Sequence, residues 1–180
     1  MKAINNLSST EDRWFAVYTK YKAEKFVCEK LQSKRIQAYV PLISETKRYT
    51  RKVKTYLKPL INCYVFVKIK KEDYIKVLQT EHVMRFLKIK NDLIAIPDEE
   101  IQLMKRIVGE VNDFEINYDY LEGQKVEIIS GNLTGIKGLL VKKESKHNFL
   151  IQLETIGVQM RITIDPALLK PIRLPMGVSI

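Results

Sequence analysis

Along the first 110 residues the apolar positions switch period several times, and each switch predicts an element. Trp14 to Tyr18 form a compact apolar run, followed by Ala23, Phe26, Val27 and Leu31 at helical spacing. A strand therefore feeds a helix of about three turns. Residues 37–43 and 60–70 read as further strands, and 72–81 as a short helix with Tyr74, Val77 and Leu78 on one face. Two apolar runs, 83–89 and 93–96, flank Lys90-Asn91-Asp92, which has the chemistry of a hairpin turn. Beyond Pro97, Asp98 can cap a helix, Glu99 and Glu100 meet the positive end of its dipole, and Ile101, Met104, Val108 and Val111 form its buried stripe. This order predicts an α+β fold: a split β-α-β, ferredoxin-like sandwich with a largely antiparallel sheet and helices on a face.

After residue 120 the pattern shortens. Residues 125–129, 138–141, 149–153 and 158–164 are brief strand-like runs with tight polar or glycine turns between them, and Leu168-Leu169 can close the set. Only Gly109 of the seven glycines precedes residue 120. Five short strands in about sixty residues fit a small closed barrel, which hides its own strand edges. The predicted organisation is a disordered tail over 1–12, a first domain over 13–110, an acidic linker over 111–119, a barrel over 120–172 and a tail over 173–180.

Charge sharpens this division. The chain carries 31 Lys and Arg against 21 Asp and Glu, net +10, and residues 1–118 hold 23 of the basic groups. A polyanionic partner is therefore expected for the first domain. Two isolated cysteines, Cys28 and Cys63, give neither a disulfide framework nor zinc-ligand spacing and read as small buried hydrophobes. No apolar run reaches membrane-span length, and the polar start, residues 1–13, lacks a signal peptide's apolar core, so a cytoplasmic protein is expected. His82 and His147 stand alone, and no phosphate loop, nucleophile elbow or dinucleotide fingerprint occurs. The expected role is binding without catalysis, cofactor or metal.

Two segments carry the candidate chemistry. On the strand 60–70, alternation sets Ile61, Cys63, Val65, Val67 and Ile69 on a core face, with Asn62, Tyr64, Phe66 and Lys68 opposite. That second face is either packed internally or open as a docking patch for an apolar partner. Residues 47–58 combine Lys47, Arg48, Arg51, Lys52, Lys54 and Lys58 with Tyr49 and Tyr56 and contain no acid. Such a segment suits single-stranded nucleic acid, through phosphate neutralisation and base stacking, or is a solvated hairpin that maintains solubility. Lys20, Lys22 and Lys25 add basic character at the first strand-helix junction.

These residues resemble the NusG family of transcription elongation factors over roughly residues 13–172. The run PLINCYVFVKI, residues 59–69, resembles the family's "PxFPGYVFV" signature, and HVMRFL resembles the strand that follows it. GQKVEIISGNLTGIKGLLV, residues 123–141, is similar to the KOW motif, with Gly123, Val126, Ile128, Gly131, Gly135, Gly138 and Val141 in the motif's places and Leu133 as its apolar tip. The "VYTK…AEK" opening is similar to specialised paralogues of the UpxY and RfaH kind.

The resemblance implies an RNA polymerase-binding domain followed by a KOW barrel in a monomeric factor. It implies that Tyr64, Phe66 and Leu60 grip the clamp helices of RNA polymerase. Lys20, Lys22 and Lys25 would face upstream or non-template DNA, while Arg48, Arg51, Lys52 and Lys54 are expected to touch nucleic acid on the composition of their own segment. The barrel would bind a small-subunit ribosomal protein or Rho. The expected activity is suppression of pausing and termination on long operons such as those for surface polysaccharides; the alternatives are a general pausing or Rho-linked factor and a ribosome-associated RNA binder. Asn62-Cys63 departs from the family's Pro-Gly, and Asp73-Tyr74-Ile75-Lys76 lacks the RfaH branch's His-Thr-Thr pattern.

Overall fold

The computed structural model describes residues 5–110, 114–117, 123–131, 133–143, 146–153, 158–163 and 166–172. The chain divides into two compact units, Met1–Val108 and Gly109–Ile180.

The first unit is built on an antiparallel sheet in the order β2-β5-β1-β6, from β1 (Arg13–Thr19), β2 (Gln37–Tyr39), β5 (Tyr64–Ile69) and β6 (Val83–Phe86). Its long central pairing runs from Arg13 opposite Ile69 to Tyr18 opposite Tyr64. Because alternate side chains share a face, Phe15 and Val17 fall with Val65, Val67 and Ile69, and all five are fully buried. This face meets α1 (Glu24–Ser33) through Val27 and Leu31 and α2 (Tyr74–Leu78) through Val77, in one apolar cluster. Each such side chain contributes about 1.5–3 kcal/mol by leaving water.

The opposite face has a different cover, α3 (Asp98–Glu110). Trp14 donates its indole N–H to Asp98 Oδ1 at 2.8 Å, Lys68 pairs with the same oxygen at 3.3 Å, and the Lys105 ammonium lies 5.6 Å from the Tyr39 ring centroid. Asp98 thus ties the first turn of the helix to the sheet; Pro97 precedes the helix and its carbonyl accepts from Glu100 N. The buried stripe is Ile101, Met104 and Ile107, whereas Val108 is half-buried and Val111 lies outside the described residues. Helices therefore cover both sheet faces, not one.

Several boundaries also move. The expected strand 37–43 breaks at Val40-Pro41 into β2 and β3 (Leu42–Tyr49), which pairs with β4 (Lys52–Pro59) as a separate two-stranded arm. Proline supplies no N–H for a continuing ladder. Residues 60–63 form a turn before β5, so Ile61 is buried there without belonging to the strand. Of the expected 83–96 hairpin, only β6 and a tight turn survive, with Ile89 and Asp92 exchanging backbone hydrogen bonds around Lys90-Asn91. The expected disorder of residues 1–12 does not hold for 5–8. Asn6 N donates to Leu93 O, Ala95 N donates to Asn6 Oδ1, and Lys71 N donates to Ser8 O; residues 1–4 lie outside the described residues.

The second unit contains a six-stranded sheet, order β12-β8-β9-β10-β11-β7. Its strands are β7 (Phe114–Asn117), β8 (Gln124–Ile128), β9 (Lys137–Lys143), β10 (Lys146–Leu153), β11 (Val158–Thr163) and β12 (Leu169–Pro171), and every pairing is antiparallel. Residues 114–117 of the expected linker are thus a strand, paired with β11. The expected tail over 173–180 lies outside the described residues.

Candidate functional site

The two ends of the α3-covered sheet face differ in exposure. Trp14, Ala16 and Phe66 are buried, and Phe66 is 0 % exposed with its ring 6.4 Å from that of Tyr39. Leu60, in the turn before β5, is 2 % exposed. Neither Phe66 nor Leu60 is therefore a surface for a partner; both belong to the core. Tyr64 alone of the three remains half-exposed.

Tyr64 meets Tyr18 edge to face, ring centroids 5.5 Å apart and planes at 75°. Arg85, opposite Tyr18 on β6, holds its guanidinium 5.6 Å from the Tyr18 ring centroid. These three side chains line a cavity of about 470 Å³ together with Tyr74, Leu78, Leu87 and Lys88. The site is amphipathic: aromatic edges supply desolvation energy, and the Arg85 and Lys88 cations supply orientation. Arg85 and Tyr18 were missed in the sequence because strand pairing alone brings them beside Tyr64.

The turn that aims Tyr64 is held from α1. Cys63 sits at φ +64°, its N–H donates to Glu24 Oε1 at 2.6 Å, and its carbonyl accepts from Thr19 N at 2.8 Å. Glu24 is 2 % exposed. A buried carboxylate taking a backbone N–H replaces water with a charge-assisted bond. The Asn62-Cys63 departure consequently keeps a bend of the kind a glycine makes, since Cys63 adopts the left-handed conformation itself. Burial, with Glu29 adding to it, pushes the Cys28 thiol up.

A second site lies between the strand-helix junction and the arm. Register puts Lys47, Tyr49, Lys52, Lys54, Tyr56 and Lys58 on one face of β3–β4, and Arg48 on the other with Val53 and Leu57. The first face looks onto Tyr21, Lys22 and Lys25 across a cavity of about 590 Å³ that Lys47, Tyr56 and Lys58 also line. Lys25 Nζ donates to Leu57 O at 2.5 Å, tying α1 to the arm. Glu45 is held below the usual carboxylate range, first by a hydrogen bond to Tyr56 and then by Lys58, 3.0 Å away. Lys47, whose ammonium lies 5.4 Å from the Tyr56 ring centroid, is held above the usual range chiefly by its hydrogen bond to Tyr56. Of the expected contacts, Lys22 and Lys25 gather here. Lys52 and Lys54 lie further along the same face, Arg51 is in the arm's turn, and Lys20 lines a smaller neighbouring cavity with Phe26 and His82. Tyr21 is the addition that the geometry makes, and Tyr56, already part of the basic segment, joins it in the cavity lining.

In the second unit, Val126 and Ile128 are 1 % exposed while Gly123 and Leu133 flank them at the surface and half-buried, respectively. Gly131 and Gly135 take φ of +81° and +86° with open space where a Cβ would stand, so backbone conformation, not crowding, calls for glycine. Gly138 lies opposite Val126. Among the described residues no group of three His, Cys, Asp or Glu side chains could hold a metal ion, and no helix is long and apolar enough to cross a membrane.

A family model described as "Transcription termination factor nusG" matches residues 12–105. Among solved structures, "Domain interaction in Thermotoga maritima NusG" aligns at 18% identity and TM-score 0.56, covering 92% of this chain and all of that one. The structure described as "MjSpt4:Spt5 complex conformation B" aligns at 18% identity and TM-score 0.32, covering 88% of this chain and 96% of that one. No curated protein matches the chain significantly.

Proposed function

Because the chain belongs to the NusG family of transcription factors, we propose that it binds RNA polymerase through its first unit and acts as an elongation and antitermination factor. The observation that carries this reading is the half-buried Tyr18–Tyr64 pair with Arg85, which together line a cavity of about 470 Å³. Aromatic and arginine side chains around a pocket are the usual anchors of protein interfaces, and the clamp helices of the polymerase are the proposed partner. Tyr64 is the docking residue, Tyr18 and Arg85 join it, and Phe66 forms the support beneath the sheet face.

The basic cleft between Lys22, Lys25, Lys47 and Lys58 takes upstream or non-template DNA, with Tyr21 and Tyr56 as stacking surfaces. In the second unit the KOW-like segment, which carries β8 and the start of β9, binds a small-subunit ribosomal protein or Rho. Preferential binding to the closed, processive polymerase then disfavours pausing without an active site. Long operons such as those for surface polysaccharides are the proposed targets, and the cytoplasm the proposed compartment.

Transcription by cognate polymerase on a terminator-bearing template tests this reading. Added protein is expected to raise full-length RNA, and Tyr64→Ala to abolish the gain. More termination, in keeping with the wording of the family description, would instead make the chain a termination or pausing factor.

A further inference from the structure

Residues 5–8, which precede the family match, run across the first unit and finish a second pocket. Asn5 pairs in parallel with Leu93, Asn6 is bonded at both its N–H and its side chain to the 93–95 backbone, and Ser8 O accepts from Lys71 N. This strap ties residues 93–95, just after the turn at 89–92, to Lys71 at the start of the α2 region. The turn is costly on its own, because Lys90 and Asn91 take φ of +47° and +76° without being glycine. Between the strap, the turn and α2 lies a cavity of about 390 Å³.

Leu7, Leu93, Tyr74 and Ile75 give it apolar walls, with Ile75 56 % exposed. Lys71 and Lys88 stand on its rim, both exposed, and neither ammonium has an ion-pair partner among the described residues. The nearby carboxylate of Asp73 is already engaged by Lys76 at 2.8 Å. Tyr74, Lys88 and Asn91 also border the docking cavity, so the two pockets adjoin.

We propose that this strap-built pocket is a peptide-binding site that takes one large apolar side chain from an acidic segment of a partner protein. Its volume suits one such side chain and the backbone carrying it. The Lys71 and Lys88 ammonium groups at the rim, without an ion-pair partner among the described residues, match carboxylates flanking the anchor and disfavour basic segments. The apolar walls of Leu7, Ile75 and Leu93 distinguish it from the basic cleft, where nucleic acid is proposed. The strap, residues 5–8, lies outside the matched family region, while the other walls of the pocket lie within it.

Fluorescence anisotropy of a fluorescein-labelled heptapeptide, one Trp between two runs of three Asp, tests it on the full chain. Saturable binding is expected. Lys71→Glu/Lys88→Glu and, separately, Ile75→Asp should each weaken it tenfold or more, whereas the charge-matched Lys52→Glu/Lys54→Glu control should leave it within twofold. Asn6→Ala, checked for folding by circular dichroism, should weaken it severalfold through loss of the strap. No saturable binding, equal loss in both charge-reversed proteins, or retained affinity in Ile75→Asp would each overturn the proposal. So would complete displacement by a single-stranded oligonucleotide, which would assign the pocket to nucleic acid. Because Tyr64→Ala should bind the peptide normally, failure of this site and failure of polymerase docking are separable.

Discussion

One sheet face of the first unit has two ends with opposite fates. At one end Trp14, Ala16 and Phe66 are sealed by α3, anchored through Asp98; at the other, Tyr18 and Tyr64 remain open beside Arg85. Neighbouring aromatics on a single strand therefore differ: Phe66, 0 % exposed, supports the fold, while Tyr64 stays half-buried at the surface beside Tyr18. Alternation along a strand decides which side a residue is on; a helix arriving from elsewhere in the chain decides whether that side is core or surface.

The contrast can be broken most strongly at its closed end. Phe66→Ala should cost about 3–5 kcal/mol, the usual range for emptying an aromatic core site, seen as a lowered urea midpoint. Tyr64→Ala should cost about 1 kcal/mol; equal losses for the two variants would erase the distinction. Next in size is Glu24→Ala, which leaves the Cys63 N–H without its acceptor and should lose about 1–3 kcal/mol in the same titration. Cys63→Gly should move the other way, gaining about 0.5–1 kcal/mol by relieving a left-handed non-glycine residue. A loss there would mean that the Cys63 side chain, not its backbone, matters.

Tyr39 sharpens the closed end by pH. Burial pushes its hydroxyl up to about 12 from an ordinary value near 10. The folded state thus disfavours the phenolate, so this contribution to stability is complete below about pH 10 and is lost as pH rises from there through about 12. Ultraviolet titration should show one tyrosine ionising late, and Tyr39→Phe should remove that step. The smallest effect on stability belongs to the arm: Lys47→Glu/Lys58→Glu should shift stability by no more than about 0.5 kcal/mol. It should nevertheless flatten the salt dependence of single-stranded DNA binding, and an unchanged slope would leave the arm a solvated hairpin.

Much of the fold was legible because periodicity is local. Val65, Val67 and Ile69 announced a core face, and the switch to helical spacing after Tyr18 announced α1. Phe66 and Leu60 were misread as docking groups because their cover depends on long-range packing that alternation does not encode. The break at Val40-Pro41 could have been read from proline's missing N–H. Two results had weaker signals: Asn6 looked like any polar residue near a terminus, and Arg85 acquired meaning only from its register opposite Tyr18. Lysines at 47, 52, 54 and 58 share a face with Tyr56 only once the two-residue turn at Thr50-Arg51 fixes the arm's pairing.

The central claim is that the open end of the sheet face, and not its buried aromatic, carries docking. The most direct test is the affinity of purified wild-type and Tyr64→Ala proteins for a cognate polymerase elongation complex, with urea midpoints confirming that both are folded. The account predicts at least a tenfold loss of affinity in the folded variant, as removal of an interface anchor of about 2 kcal/mol or more, roughly 30-fold, allows. Undiminished affinity would contradict it and move the interface elsewhere on the first unit.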